Sequence, residues 1–169
     1  MDAVFAGGDS DMKIELLSVY FNFLAKIQSS SVISNEGSTS NNLIAKAEDH
    51  MDAGVGSSIM QRYLDRVLQC ALLNDCALQG AAIDVIGQVT SQALVHPVLC
   101  MPVAVALEAS DDPVLSDRAF KIHRELHDKH ASLIYSKSPE CVRTMYLFKN
   151  VVGASMDTPG KAKDPYVVC

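Results

Sequence analysis

Three histidines in the C-terminal third have the residue type and spacing that could do chemistry. His123 and His127 are four residues apart, and His130 follows three residues later. Residues four apart share one face of a helix, which is how helical zinc sites begin. However, no glutamate completes an HExxH pattern, and Glu125 and Asp128 fall elsewhere on the helical wheel. Histidines near a helix C-terminus also interact favourably with the helix dipole, so we expect no metal ion and no other cofactor here.

Motifs for nucleophilic catalysis are missing from the sequence. It contains no GxSxG motif, no glycine-rich phosphate loop and no Cys–His pair with a recognisable local signature. Asp111 and Asp112 are adjacent carboxylates, but helix capping explains one and solvent exposure explains the other. We therefore predict a protein that is not an enzyme and has no small-molecule substrate.

Charge is distributed unevenly along the 169 residues, whose net charge is −6. Residues 1–112 hold 5 basic and 14 acidic side chains, whereas residues 113–169 hold 9 basic and 6 acidic side chains. An acidic chain disfavours a protein that works alone on DNA, because phosphate contacts require cations. The candidate residues for contact with a partner or DNA are Arg118, Lys121, Arg124 and Lys129, helped by Arg143 and Lys149. Alternatively, Asp117, Glu125 and Asp128 neutralise these cations in a solvated, salt-bridged face.

Helical periodicity dominates the chain and predicts an all-α fold. We expect an N-terminal stub and first helix over 1–28, a Ser/Asn-rich disordered linker over 29–56, a helical repeat segment over 57–152 and a frayed tail over 153–169.

Capping residues divide the helical segment further. Ser58 and Gln61 have the spacing of a capping box, and Asp75 caps the next helix. A short helix is expected from Pro97 to about Ala109. Asp112-Pro113 opens a helix to about His130, and Ser138-Pro139 opens a last helix to about Val152.

An internal repeat of 37 residues predicts the architecture. This shift places Asp75 on Asp112, Leu78 on Leu115 and Ala82 on Ala119. It also superposes three further apolar pairs, which are Ile83 on Phe120, Val85 on Ile122 and Val89 on Leu126. Helical hairpins with a period near 40 residues are typical of a HEAT-type α-solenoid of stacked antiparallel hairpins, although an ordinary helical bundle is the alternative. The solenoid predicts that helix 76–92 packs against both 59–72 and 114–129. It also predicts that the first and last helices lack covering neighbours, which leaves Phe21, Tyr146, Leu147 and Phe148 partly exposed.

The cysteines and the apolar segments bear on the compartment. The five cysteines are odd in number and include no CxxC, and Cys70, Cys100 and Cys141 lie among apolar residues. They indicate buried thiols in a reducing compartment. No signal peptide is recognisable, and the apolar run 93–107 is too short to span a bilayer, so we expect an intracellular protein without membrane contact.

Two blocks of residues resemble the C-terminal region of the adherin family, the Nipped-B-like cohesin-loading subunits. The first is Ser-Ser-Ile-Met-Gln-Arg-Tyr-Leu at 57–64, followed by Val67 and Leu68. The second is Gln-Ala-Leu-Val-His-Pro-Val at 92–98, with Cys100, Pro102, Ala106 and Leu107, and it has Ala93 where the family has glycine. The stretch from Asp112-Pro113 to Ala119 resembles the next repeat, and His-Asp-Lys-His at 127–130 the linker after it, so the resemblance covers about residues 11–150.

The resemblance implies a hook of HEAT repeats that engages the cohesin ring and DNA in the nucleus. Such proteins promote cohesin loading onto chromatin, and they stimulate cohesin's ATPase without hydrolysing ATP themselves. Family members are far longer, so we expect a fragment, a truncated gene model or a shortened paralogue. The alternative function is a generic HEAT-repeat adaptor unrelated to cohesin.

Overall fold

The computed structural model of the chain describes residues 2–33 and 42–156. Within these residues the fold is all-α, as predicted, and includes no β-strand. The elements are α1 (Asp2–Gly7), α2 (Ser10–Ile33), α3 (Asn42–Ala71), α4 (Cys76–Ser91), a 3₁₀ turn (Pro97–Leu99), α5 (Met101–Glu108) and α6 (Pro113–Met156).

The long helix α6 is a hairpin. Its backbone is non-helical at His130, where φ is −139° and ψ is 33°. Lys149 Nζ lies 3.3 Å from Asp111 Oδ1, whereas a straight helix would separate these residues by about 57 Å. The chain therefore reverses at His130, and we call its two arms α6N (residues 113–129) and α6C (residues 131–156). The predicted helix end at His130 is confirmed. The predicted start at Ser138-Pro139 is wrong, because Pro139 lies inside α6C, where a proline removes a single backbone hydrogen bond.

Equivalent caps begin α4 and α6N, as the repeat predicted. Asp75 Oδ1 accepts hydrogen bonds of 3.1 Å from the backbone N–H groups of Ala77 and Leu78. Asp112 Oδ1 accepts one of 2.9 Å from the N–H of Val114. Each cap satisfies backbone donors that have no partner within the helix. Three of the side-chain pairs that the 37-residue shift superposes behind these caps are buried in both helices: Leu78 with Leu115, Ala82 with Ala119, and Val89 with Leu126. The pair of Ile83 with Phe120 does not fit, because Ile83 is buried whereas Phe120 is 51% exposed, and Ile122, which the shift pairs with the buried Val85, is only half-buried.

The helix α4 ends in a left-handed turn at Ala93, where φ is +53°. The N–H of Ala93 donates to the carbonyl of Thr90, and the N–H of Leu94 donates to the carbonyl of Val89. This pattern is the Schellman motif, whose left-handed residue is usually glycine because a Cβ is strained there. Ala93 therefore occupies a strained backbone position, at which the sequence analysis expected glycine.

The start of α3 differs from the prediction. This helix begins at Asn42, so the expected capping box of Ser58 and Gln61 lies in its interior. Residues 29–33, at the end of α2, and residues 42–56 were assigned above to a disordered linker but are helical, and residues 34–41 lie outside the described residues. Residues 42–56 include three alanines and one each of Leu, Lys, Glu and Met, all of which favour helix. Gly56 lets α3 approach α2 closely, because a Cβ there would lie 3.1 Å from Ile27 Cδ1.

Helix α4 lies at the centre of the packing. It contacts α2, α3 and α6, while α3 also contacts α5. On the α6 side, Arg118 reaches Asp84, and a Cβ on Gly87 would lie 3.6 Å from Ile122. The predicted packing of this helix against both α3 and α6N is confirmed. The contacts place α2, α4 and α6N in one layer, with α3 and α5 in a second layer.

The arm α6C closes one end of the core. Phe148 is 2% exposed and belongs to the main apolar cluster, although we predicted it to be partly exposed. The reversal at His130 is the reason, because it turns α6C back onto the core. Tyr146 and Leu147 point away and are 68% and 54% exposed, as predicted.

Candidate partner-binding face

The four predicted contact cations lie on the solvent-exposed side of α6N. Leu115, Ala119 and Leu126 of this helix are buried. Helical periodicity therefore turns the intervening positions outward. The exposed cations are Arg118, Lys121, Arg124 and Lys129. We call these cations, together with the carboxylates that pair with them, the α6N face.

Three of these cations already have carboxylate partners. Lys121 Nζ lies 2.7 Å from Asp117 Oδ2, and Lys129 Nζ lies 2.6 Å from Glu125 Oε1. Both pairs join residues one helical turn apart, as the sequence suggested.

The third pair crosses between helices. Arg118 Nη1 lies 2.9 Å from Asp84 Oδ1 of α4, and both side chains are 46% exposed. Sequence reasoning missed Asp84, because the two residues are 34 positions apart and no local pattern connects them. Exposed pairs of this kind contribute about 0–1 kcal/mol each, so their main effect is on the local charge.

The α6N face is close to neutral. Arg124 is exposed and makes no ion pair within the described residues. Asp128 is also exposed and lies 3.8 Å from His127 Nδ1. Counting this aspartate, four carboxylates balance the four cations, so a phosphate approaching this surface meets little net attraction.

The two helping cations lie on the other arm. Lys149 is directed towards Asp111, just before α6N, and Arg143 is exposed on α6C. Arg118, by contrast, is directed towards α4. Four of the six predicted cations, Arg118, Lys121, Lys129 and Lys149, therefore each have a carboxylate partner of their own.

The histidines are engaged separately. His123 Nδ1 lies 2.5 Å from Glu108 Oε1 of α5, His127 is near Asp128, and His130 lies at the reversal of α6. Across residues 2–33 and 42–156, no three His, Cys, Asp or Glu side chains are grouped to hold a metal ion.

Three of the predicted buried thiols are confirmed as buried and free. They are Cys70, Cys100 and Cys141, while Cys76 is exposed. Burial raises the pKa of the Cys100 thiol to about 12. Burial also raises the pKa values of Cys70 and Cys141. A thiol that stays protonated at neutral pH is a poor nucleophile, so these side chains act as small apolar core residues.

Comparison with known proteins gives a match that includes the whole of residues 57–152. Residues 56–165 match the family model described as sister chromatid cohesion C-terminus. Nipped-B-like protein B of Danio rerio is 27% identical over 153 residues, which cover 88% of this chain and 5% of that protein. Sister chromatid cohesion protein 2 of Saccharomyces cerevisiae is 28% identical over 145 residues, which cover 80% of this chain and 10% of that protein.

The human relative gives a similar result. Nipped-B-like protein of Homo sapiens is 28% identical over 121 residues, covering 69% of this chain and 4% of that protein. The chain therefore spans a small part of the length of these relatives. No helix in the described part of the chain is long and apolar enough to cross a membrane. Since the family model matches well over half of the chain, this protein belongs to the family of the sister chromatid cohesion C-terminus.

Proposed function

We propose that this chain is a segment of a non-catalytic, nuclear cohesin-loading scaffold that contacts cohesin subunits and chromatin and thereby promotes sister chromatid cohesion. The observation that carries this proposal is the family match over residues 56–165. It favours a cohesion role over a generic adaptor unrelated to cohesin. Because the chain covers 5% of the Danio rerio relative, the role we assign to it is one contact surface of such a scaffold.

The proposed architecture is a HEAT-type solenoid. It is supported by the two layers, with α2, α4 and α6N in one and α3 and α5 in the other. It is also supported by the equivalent caps Asp75 and Asp112, which begin two helices of the same layer. In a solenoid each hairpin contacts only its neighbours, which matches the central place of α4.

The contact that we assign to the α6N face is with protein. Its cations are balanced by Asp84, Asp117, Glu125 and Asp128. Paired charges of both signs suit a protein surface of complementary pattern, where they determine orientation and association rate. A DNA surface would require an excess of cations, and log binding would fall with log salt by about 0.9 per phosphate contact.

The test is a charge reversal on this face. The double variant Arg118→Glu with Arg124→Glu should weaken capture of purified cohesin by about tenfold or more, since it places acids where the proposed contact uses cations. Retention of DNA at the same salt concentration should change little. Both assays use the full chain, and the double variant is also introduced at the matching positions of a full-length relative.

A matched control separates a local effect from a change in net charge. Arg66 of α3 and Arg124 are both exposed, and neither makes an ion pair within the described residues. Arg124→Glu should weaken cohesin capture, whereas Arg66→Glu should not. If DNA retention collapses in the double variant while cohesin capture is unchanged, the assignment of this face is wrong.

A further inference from the structure

The arm α6C carries apolar residues on the side that faces away from the core. Cys141 and Phe148 are 5% and 2% exposed, and they show which side of the helix is buried. The opposite side presents four apolar residues to solvent, which we call the α6C stripe: Tyr135, Pro139, Val142 and Tyr146. Among them, the two tyrosines and the valine are between 66% and 72% exposed.

The spacing of these residues makes the stripe continuous. They follow one another at intervals of four, three and four residues. With 3.6 residues per turn, a helix places such positions within about 60° of one another, in a line about 16 Å long. Alternating intervals of three and four are the pattern by which one helix packs against another, whereas a solvated helix face is polar. The α6C stripe is therefore suited to contact with a second helix.

The stripe is complementary to itself in the antiparallel orientation, because its intervals are the same from either end. A two-fold axis can pass between positions 140 and 141, the middle of the stripe. Two copies of α6C related by this axis place Tyr135 of one copy opposite Tyr146 of the other, and Pro139 opposite Val142. Every position of the stripe then has an apolar partner.

Charges at one edge of the stripe fit the same arrangement. Arg143 is exposed and makes no ion pair within the described residues. Glu140 lies on the same edge and pairs with Lys137 at 2.7 Å, but its side chain is still 51% exposed. The two-fold axis brings Arg143 of one copy to within about 3 Å, measured along the helix, of Glu140 of the other. A second copy thus supplies a carboxylate for Arg143, and it does so twice.

The area of the stripe corresponds to a weak interface. A tyrosine can bury about 150–250 Å², so the exposed parts of Tyr135 and Tyr146 offer roughly 200–350 Å² in each copy. With the other members of the stripe, two copies together bury about 1,000 Å², which is near the lower limit for a specific interface. We therefore expect a dissociation constant on the order of 10–100 μM.

We propose that two copies of this chain associate through the α6C stripe, as an antiparallel pair of helices with two-fold symmetry. The association withdraws the exposed tyrosines and valine from water. It goes beyond the proposed function, because it requires neither cohesin nor DNA, and it leaves the α6N face on the other arm free.

Sedimentation equilibrium of the full chain tests the proposal. Between about 1 and 500 μM, on either side of the expected dissociation constant, the mean mass should rise from that of one chain towards that of two. Val142→Arg should weaken association at least about tenfold, because it places two cations at the centre of the interface. Val19→Arg is the matched control, since Val19 is 58% exposed on α2, and it should leave association unchanged. Circular dichroism verifies that both variants are folded.

A charge exchange tests the edge of the stripe. Arg143→Glu should weaken association about two- to fivefold, because it faces Glu140 of the other copy. Adding Glu140→Arg to this variant should restore association to within about twofold, since the pairs then form with reversed sign.

Disulfide formation tests the orientation. Chains with Tyr135→Cys are mixed with chains with Tyr146→Cys and oxidised, in a background of Cys76→Ser and Cys169→Ser, because Cys76 is exposed. Linked dimers should form only in the mixture. Either variant alone places its two cysteines about 16 Å apart along the helices, which is too far for a disulfide.

Three results would overturn the proposal. The first is the mass of one chain at every concentration, which would assign the stripe to another occupant, such as a helix of a different protein. The others are unchanged association of folded Val142→Arg, and linked dimers from Tyr135→Cys alone. Cohesin capture through the α6N face is measured separately, so failure of this proposal and failure of the proposed function are distinguishable.

Discussion

Truncation of Phe148 tests the reversal of α6 directly. The side chain is 2% exposed because α6C folds back onto the core. Replacing a buried phenylalanine with alanine costs about 3–5 kcal/mol, through lost apolar burial and the cavity that remains. Since α6C lies at one end of the core, we expect the lower end of this range, about 3 kcal/mol. If α6 were one straight helix, Phe148 would extend into solvent, and the same change would cost less than about 0.5 kcal/mol.

The assay is urea unfolding of the full chain, followed by far-ultraviolet circular dichroism. Tyr146→Ala is the matched control, because Tyr146 lies on the same arm but is 68% exposed, and its free energy of unfolding should change by less than about 0.5 kcal/mol. Native proteins are commonly stable by about 5–15 kcal/mol, so a loss of about 3 kcal/mol could prevent Phe148→Ala from folding. In that case Phe148→Leu, which should lose less stability, provides the measurement. Equal, small losses for Phe148→Ala and Tyr146→Ala would refute the hairpin.

Three further predictions concern glycine, alanine and cysteine positions near the core. Gly87→Ala should stabilise the chain by more than Gly80→Ala in thermal melts. Both changes remove a helical glycine, which contributes about 0.5–1 kcal/mol. The new methyl group at position 87 also lies 3.6 Å from Ile122 Cδ1, whereas no atom lies within 4 Å of a methyl group at position 80. Equal gains would argue against the contact of α4 with α6N. Ala93→Gly should raise the free energy of unfolding by about 0.5–1 kcal/mol, because φ of +53° strains an alanine, and a destabilised variant in urea melts would contradict the left-handed turn. Burial of Cys100 should make the free energy of unfolding fall as the pH rises above 9.0, the ordinary pKa of the thiol. The unfolded chain then releases a thiol proton that the folded chain keeps until about pH 12. The free energy of unfolding should fall by about 1.4 kcal/mol per pH unit in this range. Urea melts between about pH 9 and pH 10.5 should therefore show a shallower decline for Cys100→Ala, and parallel declines would refute the burial of this thiol.

Local patterns were sufficient to predict the helical class, the repeat and the burial of several residues. Asp75 and Asp112 cap helices because a side-chain oxygen satisfies backbone donors two or three residues away. Leu115 and Ala119 turn inward because helical periodicity is a property of neighbouring positions. The family resemblance was readable for the same reason, since its blocks at 57–64 and 92–98 are short and contiguous.

Contacts between distant segments were decided only by the tertiary structure. Phe148 is buried because the chain reverses at His130. The local sequence of α6C does not predict the direction in which this arm runs. The pairing of Arg118 with Asp84 joins neighbouring helices of one layer, so the charge of the α6N face depends on how α4 and α6N lie side by side. The sequence thus determined which side chains lie on the buried face and which lie on the exposed face of each helix. The packing of the helices decided which of those side chains come into contact.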